Sequence, residues 1–434
     1  MKTSREICLT ALLRMEKDSG YSNLVLKSML EKSSLNREDK SFVTRLFYGV
    51  IEKMKLIDFN ISKLSNRPLS KLDPEIVCIL RMGMYQLLFM ESVPDNAAVD
   101  ECVKLCTFAK KKSAGGFVNA LLRNKIRENK EIMLPKEKDK SYLSIKYSVD
   151  ESIISLFVKQ YGLEKTEKMM KAFSKQPKHY IRVNTNKVSS EELKLKLQKQ
   201  NIEIIPLEYP LGCCEVVTNA NLTELAEFKN GEFFVQDLAS QMCAAALSPE
   251  GTHRFLDVCA APGGKSFNMS ISSNKESKIV SCDVSKNRLS LIKTSMERLG
   301  LKNIETMVQD ATVPNEKMGK YDRILCDVLC SGVGIIGKKP EIRYKKVREK
   351  ELFEPQMNIL KTASNYLEKG GILVYSTCTL NKYENENVVL EFLKQNKDFE
   401  PCPLPFSENG EFYITLTPDE YECDGFFISS IRRK

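Results

Sequence analysis

Histidine is scarce in this 434-residue chain, which has only His179 and His253, far apart in the sequence. Zinc sites need several cysteine or histidine ligands at short, repeated spacings. Cys102 and Cys106 are one helical turn apart and Cys213–Cys214 are adjacent, but neither pair has a second ligand pair at such a spacing. We therefore expect no metal site and interpret these cysteines as structural.

Long apolar runs are also missing. No stretch approaches the roughly 18 apolar residues of a membrane-spanning helix, and residues 1–8 show neither a long apolar run nor a cleavage-site pattern. We therefore expect no membrane partner and no signal peptide. The fourteen cysteines are scattered through apolar segments, which predicts reduced thiols in a cytoplasmic protein.

Two nucleotide-binding patterns are absent. The chain has no G-x-G-x-x-G loop after a strand, which argues against NAD, and no G-x-x-x-x-G-K-[ST] loop, which argues against ATP.

The net charge of +9 is unevenly distributed. Residues 1–150 contain 27 basic and 19 acidic side chains, whereas the remainder contains 39 and 38. A basic N-terminal third joined to a nearly neutral remainder predicts a polyanion-binding module. A lysine-rich surface that contacts only water is the alternative.

Hydrophobic patterning divides the chain into three parts. Residues 1 to about 130 predict successive helices, among them a buried helix over 76–89 and another over 116–124; Asp95 or Asn96 could cap the helix between them. The charged run 136–140 looks like a linker, and residues 141–230 mix short helices and strands. From 231 onward strands alternate with helices, which predicts a mainly parallel sheet covered on both faces. The predicted strands are 254–258, 278–283, 304–308, 321–326 and 371–375, and a helix is predicted over 286–299.

A glycine-containing loop follows the first of these strands, in the segment Asp257-Val-Cys-Ala-Ala-Pro-Gly-Gly-Lys265. Asp283, Asp310 and Asp327 come at or just after the ends of the next three strands. Ligands of open α/β sheets bind beyond the carboxyl ends of the strands. Glycines there allow the backbone to approach the ligand closely, and acidic groups accept hydrogen bonds from ribose hydroxyls. The arrangement predicts a nucleotide-like cofactor, with helix capping by the aspartates as the alternative.

Two cysteines follow later strand ends, Cys330 in Asp-Val-Leu-Cys-Ser-Gly and Cys378 in Ser-Thr-Cys-Thr. A thiolate that adds to C6 of cytosine turns C5 into a carbon nucleophile, so two thiols beside such a cofactor indicate methyl transfer to a cytosine. Asp327 is the candidate group for stabilising charge on the ring. Spacing alone does not choose between Cys330 and Cys378 as the nucleophile.

The motifs from Gln236 through Asp257–Lys265, Asp327-x-x-Cys330 and Thr377-Cys378 resemble those of S-adenosylmethionine-dependent RNA cytosine-5 methyltransferases. Residues 1 to about 130 resemble the NusB-like RNA-binding fold found in RsmB-type 16S rRNA enzymes. The resemblance implies a multidomain protein. Its parts would be an all-α NusB-like domain over 1–135, a small α+β connector over 141–230 and a C-terminal α/β Rossmann-like class I methyltransferase domain over 231–434.

The resemblance also implies roles for individual residues. The cofactor would be S-adenosyl-L-methionine, held by Cys259, Ala260, Ala261, Pro262, Gly263, Gly264, Lys265, Asp283, Asp310 and Asp327. Cys378 would be the nucleophile, Cys330 the thiol that helps to resolve the adduct, and Asp327 the third catalytic residue. The implied substrate is one cytosine of 16S rRNA, cytosine 967 by resemblance, and the implied state is a monomer.

Leu329 departs from the pattern, because similar enzymes usually carry proline there. Proline restrains its neighbours, so we expect the orientation of Cys330 to be affected and Cys378 not to be. Glu386-Asn387-Val388 resembles a DNA cytosine methyltransferase signature, but no Pro-Cys-Gln loop accompanies it, and we interpret it as part of a helix after Cys378. The absence of an Asn-Pro-Pro-Tyr type of motif argues against transfer to exocyclic nitrogens.

Basic side chains near the helix at 116–124, Arg182 and the strip Lys338–Tyr344 are candidate RNA contacts. The basic group comprises Lys110, Lys111, Lys112, Arg123, Lys125 and Arg127. We expect the N-terminal domain to supply affinity and the strip to guide the target base. Another rRNA or tRNA cytosine, and a non-catalytic RNA-binding or assembly factor, remain as alternative functions.

Overall fold

The computed structural model describes residues 2–18, 22–218 and 220–434. The chain forms two compact units. The first contains the chain up to Ser174 together with Lys338–Val347, and the second contains Lys175–Gly337 and Arg348–Lys434. The domain boundaries expected near 135–141 and 230 stay a prediction, since this division into compact units follows different positions.

The first unit is helical. Its helices are α1 (Ser4–Asp18), α2 (Ser22–Glu31), α3 (Arg37–Glu52), α4 (Met54–Leu64), α5 (Pro74–Phe89), α6 (Asp95–Phe108), α7 (Gly115–Arg127), α8 (Lys140–Lys146), α9 (Glu151–Tyr161) and α10 (Leu163–Phe173). Helix α5 is buried along most of its length, as its apolar sequence predicts, and its core is shared with α1, α3, α6 and α7.

The start of α6 differs from the expectation. Pro94 precedes the first helical residue, and no side chain caps this end of the helix. The Asp95 carboxylate instead accepts a hydrogen bond from Lys130 at 3.0 Å. An ion pair to a residue 35 positions away thus competes with local capping, and capping by Asp95 or Asn96 was a wrong prediction.

The segment Lys338–Val347 belongs to the helical unit and is partly buried there. The Arg343 guanidinium donates to the carbonyl oxygens of Tyr147 and Phe173, each at 3.0 Å. The Tyr344 hydroxyl donates to the carbonyl of Ile51. Arg343 and Tyr344 therefore satisfy backbone acceptors inside this unit, and the expectation that the whole strip faces RNA is wrong for these two side chains.

The second unit contains two sheets. The smaller one is antiparallel in the order β2-β3-β1-β4, from β1 (His179–Val183), β2 (Ile204–Pro206), β3 (Cys213–Val216) and β4 (Phe233–Val235). Helices α11 (Ser190–Gln198) and α12 (Ala226–Lys229) accompany it. Its core includes Ile181, Leu193, Leu197, Ile204 and Phe233.

The larger sheet carries the predicted strands. It has the order β10-β12-β9-β8-β5-β6-β7, and β11 pairs with β12. Its strands are β5 (Arg254–Asp257), β6 (Lys278–Asp283), β7 (Ile304–Val308), β8 (Tyr321–Asp327), β9 (Leu367–Thr377), β10 (Phe399–Pro401), β11 (Tyr413–Leu416) and β12 (Phe426–Arg433). Its helices are α13 (Leu238–Ala245), α14 (Gly264–Ser272), α15 (Lys286–Leu299), α16 (Phe353–Ser364), α17 (Glu386–Gln395) and α18 (Pro418–Tyr421).

Strands β9, β8, β5, β6 and β7 are parallel, so their carboxyl ends share one edge of the sheet. The predicted α/β class is confirmed, and helix α15 has the predicted bounds and ends at Gly300 in a left-handed conformation. In the part of the chain that the structure describes, none of the helices is both long and apolar enough to cross a bilayer.

Candidate active site

The loop after β5 turns into α14 at Gly263, whose φ of 107° lies in the left-handed region. A Cβ atom there would come within 2.5 Å of the Phe267 ring, so the turn requires glycine. The first amides of α14, from Gly264 and Lys265, have no carbonyl partners inside the helix. They form a donor-rich end beside the carboxyl ends of β5 and β8.

The loop itself is folded onto the neighbouring strand. The amide of Ala260 donates to the carbonyl of Cys282 at 2.8 Å, and the amide of Gly263 donates to the carbonyl of Ala260 at 2.8 Å. Pro262 is exposed at the top of the turn, and burial raises the pKa of the Cys259 thiol. This cysteine is therefore neutral and packs as an apolar side chain of the loop.

Asp257 lies beneath the loop and is almost completely buried. Ser266 donates its hydroxyl to one carboxyl oxygen at 2.7 Å, and Ser281 donates to Ser266 at 2.8 Å. Burial raises the pKa of Asp257 to about 7, although the bond from Ser266 opposes the rise. This strand-ending aspartate supports the loop from inside the sheet.

Asp283 ends β6 and is held by a residue that the sequence analysis missed. Its carboxylate accepts from the Ser285 amide and lies 3.0 Å from an Arg288 nitrogen. A second Arg288 nitrogen donates to the carbonyl of Ala261 at 2.6 Å. Arg288 thus ties the aspartate to the glycine loop. The signal available in the sequence was an arginine in the first turn of a helix that follows a strand-ending aspartate.

Asp310 follows β7 and forms a local turn. One of its oxygens accepts from the amide and the hydroxyl of Thr312, at 2.9 and 2.7 Å. These bonds hold the pKa of the Asp310 carboxyl below its usual value. The alternative of helix capping does not describe this oxygen, because no helix begins at Thr312, and contact of Asp310 with a cofactor stays a prediction.

Lys265 and Asp327 connect the loop to the end of β8. The Lys265 ammonium lies 2.6 Å from one Asp327 oxygen, and Ser376 donates its hydroxyl to the other at 2.9 Å. Cys243 donates in turn to the Ser376 oxygen at 3.1 Å. Both Asp327 oxygens are therefore held in fixed directions at the sheet edge.

The two predicted thiols lie together. Cys330 Sγ and Cys378 Sγ are 3.1 Å apart and both side chains are half-buried, one after β8 and the other after the neighbouring β9. The hydrogen bond to Cys378, together with burial, raises the pKa of the Cys330 thiol well above its usual value. Cys330 is accordingly protonated.

Several bonds hold the two cysteine turns against each other. Ser331 and Thr379 share a hydroxyl bond at 2.8 Å, and the amide of Gly334 donates to the carbonyl of Cys378 at 3.0 Å. The carbonyl of Leu329 accepts from Gln356 at 2.9 Å. The turn that carries Cys330 is therefore anchored although leucine replaces proline at 329.

Two of the predicted RNA contacts have structural roles instead. The Lys125 side chain is fully buried, and its ammonium donates to Asn60 at 3.2 Å and to the carbonyl of Glu131. Arg182 is buried and donates to the carbonyl of Leu211 and, at 2.8 Å, to Ser272. Lys110 and Lys112 are exposed, as a surface contact requires.

Within residues 2–18, 22–218 and 220–434, no three acidic, cysteine or histidine side chains are arranged to hold a metal ion. The fourteen cysteines are free thiols.

A mainly parallel sheet with a glycine turn after β5, an acid at the end of β6 and paired thiols at its edge is the arrangement expected of a Rossmann-like methyltransferase. Comparison with known proteins agrees. A family model described as 16S rRNA methyltransferase RsmB/F matches residues 244–432, a NusB family model matches 2–127, and a ferredoxin-like domain model of RsmF/B-like methyltransferases matches 151–213.

Whole-chain relatives match as well. The chain is 34% identical to the probable ribosomal RNA small subunit methyltransferase B of Bacillus subtilis strain 168, covering 100% of this chain and 99% of the relative. It is 30% identical to ribosomal RNA small subunit methyltransferase B of Escherichia fergusonii, covering 97% and 96%. The crystal structure of PH0851 superposes with a TM-score of 0.82 at 25% identity, covering 98% of each chain.

The chain belongs to the RsmB family of S-adenosylmethionine-dependent RNA methyltransferases. The expected NusB-like helical domain and C-terminal methyltransferase domain are confirmed.

Proposed function

We propose that the chain methylates C5 of a cytosine in 16S rRNA, at the cytosine 967 site by resemblance, through a covalent bond between Cys378 and C6. The observation that carries the proposal is the 3.1 Å separation of the Cys330 and Cys378 sulfurs at the carboxyl ends of adjacent strands. The site lies at the same sheet edge as the glycine loop.

The residues of the loop fit S-adenosyl-L-methionine. The unpaired amides at the start of α14 and the carboxylate of Asp283 are suited to the polar groups of a nucleoside, and Gly263 and Gly264 allow close approach. The loop is completed by Cys259, Ala260, Ala261, Pro262 and Lys265. The edges of the cofactor site would be formed by Asp310 and Asp327. When bound, this cofactor supplies an electrophilic methyl group.

Cys378 would begin the reaction. Its thiolate forms a bond to C6, and the electron pair of the C5–C6 double bond moves onto the ring, where N3 and the C2 carbonyl share the charge. Asp327, fixed by Lys265 and Ser376, lies beside Cys330 at the end of β8 and would hold the ring edge. C5 would then form its bond to the methyl carbon as the methyl–sulfonium bond breaks and leaves a neutral thioether. A base would take the C5 proton, and the electron pair of that C–H bond would re-form the C5–C6 double bond as the C6–sulfur bond breaks and returns the thiolate.

Cys330 is suited to act at both stages. Its sulfur lies 3.1 Å from Cys378 Sγ, close enough for the Cys330 S–H group to donate a hydrogen bond to the attacking sulfur. Once Cys378 has become a thioether, that bond no longer raises the pKa of Cys330. Cys330 can then ionise more readily and help to resolve the adduct.

A transfer assay with labelled cofactor and an rRNA fragment tests the proposal. Cys378→Ala should abolish transfer and adduct formation, whereas Cys330→Ser should accumulate a protein–RNA adduct on a denaturing gel. Cys106→Ser is the control, because its Sγ donates to the carbonyl of Cys102 in the helical unit and serine keeps that bond. Methyl transfer by Cys378→Ala would overturn the mechanism, and no transfer by the wild-type protein would favour an RNA-binding factor.

The helical unit would supply RNA affinity through exposed lysines such as Lys110 and Lys112. The monomeric state and the cytoplasmic location stay predictions.

A further inference from the structure

Two adjacent polar residues, Glu384 and Asn385, are buried immediately before helix α17, with exposed fractions of 2% and 0%. Neither has a role in the mechanism above. Burying a carboxylate is costly unless its oxygens are paired. The partners of these two side chains therefore indicate what they are for.

Glu384 holds the turn that contains Cys330. One of its oxygens accepts from the Ser331 amide at 2.8 Å and from the Gln356 side chain at 3.2 Å. The same Gln356 nitrogen donates to the carbonyl of Leu329 at 2.9 Å. The residues on both sides of Cys330 are thus tied to Glu384, one directly and the other through Gln356.

Asn385 holds the turn that contains Cys378. Its side-chain oxygen accepts from the Thr377 hydroxyl at 2.5 Å, and its side-chain nitrogen donates to the carbonyl of Thr379 at 3.0 Å. Thr377 and Thr379 are the two neighbours of Cys378 in the chain. One amide side chain therefore spans the nucleophile turn.

Glu384 and Asn385 are consecutive residues, so one peptide bond connects the two sets of contacts. The Tyr375 hydroxyl holds this peptide in place by donating a hydrogen bond to the carbonyl of Glu384 at 2.6 Å. We propose that Glu384 and Asn385 are positioning residues that set the separation of the two thiols, with Glu384 controlling Cys330 and Asn385 controlling Cys378. The assignment of separate effects rests on the proposed function.

The chemistry of the Glu384 pocket demands a carboxylate. The second Glu384 oxygen accepts from the Asn381 side chain at 2.9 Å, so the three groups bonded to the Glu384 carboxylate, one backbone amide and two side-chain amides, are all donors. Glutamine would place its own NH2 group against one of these donors in either orientation. Helix capping does not explain the pair, because no side chain caps the start of α17.

Single-turnover reactions with labelled cofactor and an rRNA fragment separate the two roles. In Glu384→Gln, methyl transfer should fall less than about threefold, while release of methylated RNA should slow about tenfold, so that adduct accumulates. In Asn385→Asp, a carboxylate would face the carbonyl of Thr379, so adduct formation should slow about tenfold without accumulation. Glu391→Gln, in the helix α17 that follows these two residues, is the control, because its carboxylate pairs with Lys394 and Gln395 inside that helix.

A second measurement needs no RNA. Alkylation of each thiol, followed by peptide mass spectrometry, should show Cys330 reacting at least about threefold faster in both Glu384→Gln and Glu384→Asp. The aspartate keeps the charge but is one methylene too short to reach Ser331. Similarly, Asn385→Asp should change the alkylation rate of Cys378 more than that of Cys330.

The outcomes are distinct. If both variants lowered adduct formation and methyl transfer in equal proportion, or if thiol alkylation matched the wild type, the positioning roles would be wrong. If the wild type formed no adduct but the alkylation rates changed as expected, the covalent mechanism would fail and the positioning of the thiols would stand.

Discussion

Lys265 Nζ lies 2.6 Å from Asp327 Oδ2, which links the first turn of α14 to the end of β8. This pair ties the glycine loop to the strand that precedes Cys330. It is only slightly exposed, and Asp327 keeps a second bond from Ser376. A change in the lysine should therefore affect catalysis more than folding.

Lys265→Met should lower methyl transfer roughly 100-fold, the scale of removing one electrostatic group from an active site. The remaining Asp327 carboxylate loses a charged partner, so the free energy of unfolding should fall by about 2 kcal/mol. Labelled-methyl transfer and urea unfolding measure the two effects. Lys278→Met, at the exposed start of β6, is the control, and wild-type transfer by Lys265→Met would contradict the prediction.

Gly334→Ala should separate the two cysteine turns. A Cβ at this position would lie 1.9 Å from the carbonyl oxygen of Gly425 and 2.8 Å from that of Cys378. Both are backbone atoms, so the Cys330 turn must move, and transfer should fall by at least about tenfold.

Gly116→Ala is the matched control for this substitution. Its Cβ would meet nothing within 4 Å, and alanine in a helix should stabilise the protein by up to about 1 kcal/mol. Equal activities of the two variants would show that the close approach at Gly334 does not set the thiol geometry.

Asp257→Asn should change how stability depends on pH. The pKa of Asp257 is raised to about 7 in the folded protein, whereas an unfolded aspartate titrates near 3.9. Between about pH 4 and 7 the folded state binds the extra proton, so the contribution of Asp257 to stability falls as pH rises and stays low above 7. Asparagine cannot ionise and should remove this loss.

The free energy of unfolding of Asp257→Asn, taken relative to that of the wild type, should therefore increase by roughly 2–4 kcal/mol from pH 5 to pH 8. Urea unfolding at the two pH values measures the change, and the Ser266 hydroxyl still has an oxygen acceptor in the variant. If the free energies of unfolding of the variant and the wild type differed by the same amount at pH 5 and pH 8, Asp257 would be ionised over this whole range.

The helical unit offers a contrast between two lysines. Lys112 is exposed, and Lys112→Ala should reduce the slope of log affinity for RNA against log salt by about 0.7–0.9 if it contacts one phosphate. Lys125 is buried against Asn60, so Lys125→Ala should leave that slope unchanged and lower the free energy of unfolding by about 2 kcal/mol. Filter binding over a salt series measures the two slopes. A lower slope for Lys125→Ala and an unchanged slope for Lys112→Ala would refute the assignment of Lys112 to RNA contact and of Lys125 to a structural role.

Local sequence patterns predict the strands of the larger sheet well. Strands β6 and β7 have the predicted bounds, and the aspartates at 257, 283 and 327 end β5, β6 and β8. Apolar runs that stop at an acidic residue predict such strand ends. The positions of Cys330 and Cys378 beyond adjacent strands followed from the same reasoning, but their 3.1 Å separation did not.

Charged residues in loops and at helix ends are less predictable from the sequence. Arg343 and Lys125 look like surface cations, yet their partners are carbonyl and amide oxygens brought near by folding. The Arg343 acceptors are 196 and 170 residues away in the chain. A short window of sequence contains no signal for such partners.

By itself, the sequence determined the kinds of chemistry available: a glycine turn after a strand, acidic strand ends and two thiols in recognisable motifs. These depend on residue type and short spacing, which the chain carries locally. The tertiary structure decided which groups meet: Arg288 on Asp283, Lys265 on Asp327, and Glu384 and Asn385 on the two cysteine turns. Such contacts arise only when parallel strands bring their carboxyl ends to one edge and burial forces each polar atom to find a partner.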